Sequence, residues 1–265
     1  MAAAVPASPV PPPAPALSRW KAFAIHLSIS ALIATIVVST MYFVWYPEPL
    51  FEAMGGNELV IIIVGVDVIL GPLVTLIIFN PAKGRRVLRM DLAAIAFVQL
   101  CALVYGVHIV AVARPVYVVF SVDRFDVVSA NDLFKEDLDQ VKRPEFRSVP
   151  WGRPSVIAVT MPTTAEEQLR VIQWAASGMD LQVFPQYYRT YAELAPLALK
   201  RARPLSELRK RHPEKSGEID AALAALGRRE EDTLFLPLKA RNRDMTVLLD
   251  ARTGAVAGYA KVNPW

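Results

Sequence analysis

The stretch Gly65-Val66-Asp67-Val68-Ile69-Leu70-Gly71-Pro72-Leu73-Val74-Thr75 sets a carboxylate, a glycine and a proline inside an apolar run. The run extends from Glu58 to Phe79, and at 1.5 Å per residue it makes roughly 33 Å of helix, enough for a hydrocarbon core of about 30 Å. A charged side chain at that depth costs roughly 2.5 to 3.5 kcal/mol on insertion scales, so Asp67 is expected to face protein or water. Asp67, Gly71 and Thr75 are spaced four apart and share one face of the helix. Pro72 has no amide donor and frees the carbonyl of Val68, which predicts a kink beside the acid.

Two further runs qualify as spans. Ala22 to Trp45 and Leu92 to Ala113 contain no Asp, Glu, Lys or Arg. The first is about twice as long as a signal-peptide apolar region and has no small-x-small cleavage site before Trp45-Tyr46-Pro47, so it reads as a retained span. The layout is therefore an Ala/Pro-rich disordered tail (1–18), a three-transmembrane-helix bundle (19–114, spans about 22–45, 58–79 and 91–113) and an α+β domain (115–265). Arg19 and Lys21 precede the first span, and Lys83, Arg85, Arg86 and Arg89 lie between the second and third. The loop from Tyr46 to Asn57 has Glu48 and Glu52 but no Lys or Arg. The charge bias places the N-terminus in the cytoplasm and residues 115–265 outside. Tyr42, Trp45 and Tyr46 then form an outer aromatic belt, with Trp20 at the inner interface.

Depth along the spans suggests partners for Asp67. It lies about nine residues inside the outer end of its helix; Thr35 lies about ten inside the first and Tyr105 about eight inside the third. Thr35 and Tyr105 are the expected intramolecular contacts, with His108 one turn further out. Ala31, Thr35 and Ser39 on the first helix, and Ala102 and Gly106 on the third, are small residues at packing spacing. The stripe of Asp67, Gly71, Pro72 and Thr75 either ties the helices together or receives a partner's membrane helix. Proton movement is disfavoured, because one acid without a relay makes a poor pathway.

The single cysteine, Cys101, lies in the third run, so the exported domain has no disulfide, but about 150 residues can bury a core without one. From Arg114 onward 23 Lys and Arg stand against 20 Asp and Glu, which gives no reason to propose a nucleic-acid partner. Strands are expected at Val116–Ser121 and Phe125–Val128 as a hairpin, then a short helix from Asn131 to Gln140 and a strand at Val156–Met161. A helix begins near Thr163 or Thr164 with an apolar face of Leu169, Ile172 and Ala176. Leu181–Phe184 reads as a strand, followed by helices at Tyr191–Arg201, Leu205–Arg211 and Ile219–Leu226. Thr246–Leu249 and Val256–Val262 form a closing hairpin. No two of the three histidines share metal-ligand spacing, and no hydrolase, metalloprotease or phosphate-loop motif occurs, so no cofactor or metal is expected. The patch Tyr187, Tyr188, Arg189 and Tyr191 suits either a periplasmic protein interface or core packing.

Several unusual segments recur in order: Arg19-Trp20-Lys21-Ala22-Phe23 with His26, Trp45-Tyr46-Pro47-Glu48-Pro49-Leu50-Phe51 followed by Gly55-Gly56, and Gly65 to Pro72. Phe79-Asn80-Pro81 and Ala113-Arg114-Pro115-Val116-Tyr117 before Asp123-Arg124-Phe125 complete the set. This pattern resembles the TfpX/TfpZ family of type IV pilin accessory proteins, closely over residues 19–130 and by general layout beyond. The resemblance implies a bacterial inner-membrane protein that assists a type IV pilin in pilus assembly, with no catalytic residues to transfer. The expectation is a non-enzymatic accessory factor whose partners are the bilayer and the major pilin, through the pilin's membrane helix and globular head. The alternative from another class is a membrane-anchored periplasmic sensor.

Overall fold

Among the described residues, three helices are long and apolar enough to cross a membrane: α1 (Arg19–Trp45), α3 (Gly56–Ile78) and α4 (Arg85–Ala113). They belong to a computed structural model that describes residues 18–176 and 178–265. The tail expected to be disordered falls almost wholly outside the described residues. A short helix, α2 (Leu50–Ala53), sits in the loop between α1 and α3. α1 ends in a π-helical turn at Met41–Trp45, and α3 contains one at Val64–Leu70, followed by Gly71 and Pro72. There the amide of Gly71 reaches back five residues to the carbonyl of Val66. The widened turn absorbs the donor that proline lacks.

The chain divides into two compact units. Of the described residues, the helix unit holds 18–35 together with Ile62–Tyr105; the sheet unit holds Ile36–Ile61 together with Gly106–Trp265. Packing therefore groups the end of α1, the α1–α3 loop and the end of α4 with the sheet.

Among the described residues the sheet has eight strands: β1 (Pro115–Ser121), β2 (Arg124–Ser129), β3 (Ser155–Val159), β4 (Tyr188–Thr190), β5 (Arg203–Pro204), β6 (Thr233–Lys239), β7 (Met245–Asp250) and β8 (Val256–Ala260). Their order is β4-β3-β1-β2-β6-β7-β8, with β5 added beside β6. β1 and β2 form the hairpin expected after the third apolar run, in the register Phe120 to Phe125. β1 pairs β3 and β2 pairs β6 in parallel; the other pairings are antiparallel. All seven residues of β1 are buried, as a central strand covered on both faces requires.

Alternation along the strands builds the cores. Val118 and Phe120 of β1, Leu236 and Leu238 of β6, and Val247 and Leu249 of β7 share one cluster with Ala198 and Leu194 of α7 (Tyr191–Arg201). Tyr117 and Val119 point the other way, toward Phe146, Leu181 and Tyr188. Phe235 and Leu248 meet α8 (Leu205–Arg211) and α9 (Ser216–Leu226) in a third cluster.

Three expectations need correction. Leu181–Phe184 is not a strand: Leu181–Val183 is a 3-10 turn capped by the Asp180 carboxylate, and the pairing strand is β4. The helix expected from Asn131 is split into a 3-10 turn at Ala130–Asp132 and a single helical turn, α5 (Lys135–Leu138). The helix α6 (Ala165–Ala176) forms as expected, yet Leu169, Ile172 and Ala176 are exposed and only Val171 is buried.

Candidate functional site

In the helix unit the polar stripe of α3 points inward. Asp67 is 8 % exposed, Thr75 is 1 % exposed, and Gly71 and Pro72 are buried. The contacts come from residues other than those chosen by depth. Nδ1 of His26 lies 2.6 Å from Oγ1 of Thr75, and Gln99 Nε2 donates to the carbonyl oxygen of Asp67 at 3.2 Å. Thr35 instead donates its hydroxyl to the Ala31 carbonyl at 2.7 Å, and Tyr105 is 68 % exposed. Neither hydrogen-bonds Asp67 among the described residues.

The reason is azimuth rather than depth. At about 100° per residue, Thr35 lies nine residues and roughly half a turn round from His26, so the two occupy opposite faces of α1. Tyr105 and Gln99 are six residues apart and diverge by roughly 120°. The buried stripe of α1 is Ala22, Ser30 and Ala34, with half-buried His26 in register at the same four-residue spacing. It replaces Ala31, Thr35 and Ser39. The signals available in the sequence were the uncharged polar side chains of the apolar runs: His26 in the first, and Gln99, the lone side-chain amide of the third.

Gly71 is required by close approach. A Cβ placed there would lie 1.7 Å from Nε2 of Gln99, so the amide occupies the space a side chain would fill. Around this contact, Val66, Leu70 and Gly71 of α3 and Ala94, Val98 and Ala102 of α4 line an apolar groove of about 280 Å³. Its lining includes Gly71, Ala94 and Ala102, small residues of the kind that permit helices to approach closely in lipid.

In the sheet unit the α1–α3 loop is part of the domain core. Leu50 and Ala53 of α2 pack with Val118, Phe120, Leu238 and Met245. The Ala53 carbonyl accepts the amides of Asn242 at 2.9 Å and Arg243 at 3.1 Å. Lys261 bridges Glu48 at 3.0 Å and Glu52 at 2.9 Å, and Glu52 also pairs with Arg243. The hydrogen bond from Lys261 leads in holding the Glu52 carboxyl below its ordinary pKa. Tyr46 is fully buried and donates to the Val110 carbonyl at 2.9 Å, and burial pushes its phenol well up. The acidic loop thus has its charges answered by the β6–β7 turn and the residue after β8.

The aromatic patch is divided. Tyr188 is buried between Tyr117 and Phe146 and donates to the Gln182 carbonyl at 2.6 Å. Tyr191 packs on Phe120 and Phe125 and donates to the Gly254 carbonyl at 2.6 Å. Tyr187 and Arg189 line a cleft of about 690 Å³ with Lys142, Arg143, Thr160 and Glu167. At its rim, Arg143 clamps Glu193 with two bonds of 2.7 and 3.0 Å. That clamp, with help from Thr190, pulls the Glu193 carboxyl down to about 2.

Comparison with known proteins adds the family. The model of the fimbrial assembly protein FimB matches residues 15–55, which cover α1 and the loop helix α2. The chain is 34 % identical over 228 residues to a fimbrial assembly protein of serogroup I from Dichelobacter nodosus, covering 85 % of this chain and 88 % of the relative. The serogroup E1 protein of the same organism is 33 % identical over 228 residues, with the same coverage. The protein of serogroups C1 and C2 is 39 % identical over 116 residues, 44 % of this chain and 88 % of the relative. No solved structure matches. The family agrees with the resemblance carried by Arg19 to Phe125. With most of both chains aligned to these relatives, the protein belongs to the FimB family of fimbrial assembly proteins.

Proposed function

We propose that the protein is a non-enzymatic inner-membrane accessory factor of fimbrial assembly that binds a type IV pilin and modulates assembly of the pilus. α1, α3 and α4 cross the bilayer with the N-terminus in the cytoplasm, and the sheet domain lies in the periplasm. The observation that carries the pilin role is the apolar groove between α3 and α4, walled by Gly71, Ala94 and Ala102 and backed by the buried Asp67 stripe. It has the shape and polarity to receive one more apolar helix, and a pilin supplies such a helix at its N-terminus. The built-in α1–α3 loop supports the orientation, because three crossings put that loop and the chain after Ala113 on the same side. The basic loop Lys83–Arg89 then lies on the other side, as positive charge at the cytoplasmic face requires.

The test is Asp67→Asn in cells producing the cognate pilin. Pilin co-purification and surface piliation are expected to fall while the protein level holds; normal piliation at normal protein level would overturn the docking role of the stripe. The 690 Å³ cleft lined by Lys142, Arg143 and Arg189 favours a second reading, a periplasmic sensor. Deleting the gene discriminates: fewer surface pili supports the accessory role, and unchanged pili with altered transcription supports sensing.

A further inference from the structure

The segment between the 3-10 turn at Pro144–Phe146 and β3 is tied to the ends of two helices. Arg114, the residue after α4, is buried. One of its guanidinium nitrogens donates to the Pro150 carbonyl at 2.9 Å and another to the Ala111 carbonyl. Its guanidinium carbon lies 4.0 Å from the centre of the Trp151 ring, a cation–π stack. Nε of Arg153 donates to the carbonyl of Phe43, in the last turn of α1, at 3.0 Å. The rings of Trp45 and Trp151 are 6.4 Å apart.

Despite these ties, Trp151 is 67 % exposed, and Phe43 is exposed as well. The indole nitrogen of Trp151 and the terminal nitrogens of Arg153 have no hydrogen-bond or acidic partner among the described residues. α1 has 27 residues, roughly 40 Å of helix against a hydrocarbon core of about 30 Å, so a span centred in the bilayer puts its last turn at the boundary of that core. In such a span these contacts would hold an indole and a free guanidinium fork at the depth of the headgroups. Indoles favour that layer, and the fork matches phosphate oxygens bidentately.

We propose that Trp151 and Arg153 form a lipid-headgroup clip: the indole rests in the interface and Arg153 binds phospholipid phosphate. The clip rests on the membrane reading of α1, α3 and α4 given above. It anchors the linker to the bilayer surface between the outer ends of α1 and α4.

The test uses the full chain with Cys101→Ser, reconstituted in vesicles of phosphatidylcholine and phosphatidylglycerol, with one spin label per sample. Gly152→Cys carries the label, because a Cβ there meets nothing within 4 Å and both clip residues stay. Labels at Val98→Cys and Glu231→Cys serve as lipid and water references. The label at 152 is expected to lose most of the relaxation by a water-soluble nickel chelate seen at 231 while keeping relaxation by oxygen. Trp151→Ser with Arg153→Gln is expected to restore nickel access. Nickel access at 152 equal to that at 231, with 98 still in lipid, would overturn the clip alone. So would nickel protection that persists in the double variant, or loss of oxygen access as well, which indicates a protein contact. Nickel access at 98 would overturn the membrane reading itself.

Discussion

Gln99 and Gly71 interlock, and a single methyl group tests the fit. In Gly71→Ala the new carbon falls on the Gln99 amide, which must leave its bond to the Asp67 carbonyl. Overpacking of this kind costs roughly 1 to 3 kcal/mol. Thermal unfolding of the detergent-solubilised chain is expected to show a lower Tm, partly recovered when Gln99→Ala makes room; an unchanged Tm would show that the approach is not tight. Asp126 offers a residue-scale prediction in pH. Burial, only partly offset by Arg124, pushes its carboxyl up from 3.8 to about 6. A raised carboxyl binds its proton more tightly folded than unfolded, so its contribution is complete below about pH 4 and is lost as pH rises through about 6. Asp126→Asn is expected to flatten the decline in Tm across that window. Glu193 acts in the lower window, since its carboxyl is held down at about 2 and its stabilisation fades only as pH falls below its ordinary value of 4.5. At this scale the sequence located the buried stripe and its spacing. It could not choose between partners, because depth alone leaves each helix free to turn about its axis.

At the scale of elements, α2 is the least expected piece. Its four residues sit in a loop between two apolar runs, and loops of that kind usually lie on the surface. Here Leu50 and Ala53 are buried against β1, β6 and β7. Leu50→Ala is expected to destabilise the sheet domain by roughly 2 to 5 kcal/mol, read by urea unfolding of the full chain in detergent. A surface connector would lose about 0.5 kcal/mol or less. The helices α7 and α8 and the hairpins β1–β2 and β7–β8 were legible because their patterns agree with their burial. α6 shows the limit: its period is helical, but the face made by Leu169 and Ile172 is left uncovered. β6 was missed because Pro237 interrupts its apolar run, although Leu236 and Leu238 are fully buried.

For the whole molecule, the coupling of the α1–α3 loop to the sheet makes a topological prediction. Periplasm-active reporters fused after Ser129 are expected to be active and those between Lys83 and Arg89 inactive, with the reverse for cytoplasm-active reporters. Activity on the same side at both sites would refute three crossings. The sequence by itself determined the three apolar helices, the charge asymmetry of their loops and the mixed helix-and-strand character of the rest. Each follows from composition and from periods of 3.6 and 2, which are local properties. Only the tertiary structure decided that Gln99 rather than Tyr105 meets the Asp67 stripe and that the acidic loop belongs to the sheet core. It alone tied the Trp151 linker to the helix ends. Those choices depend on helix rotation and on contacts between residues more than a hundred positions apart, which no local pattern encodes.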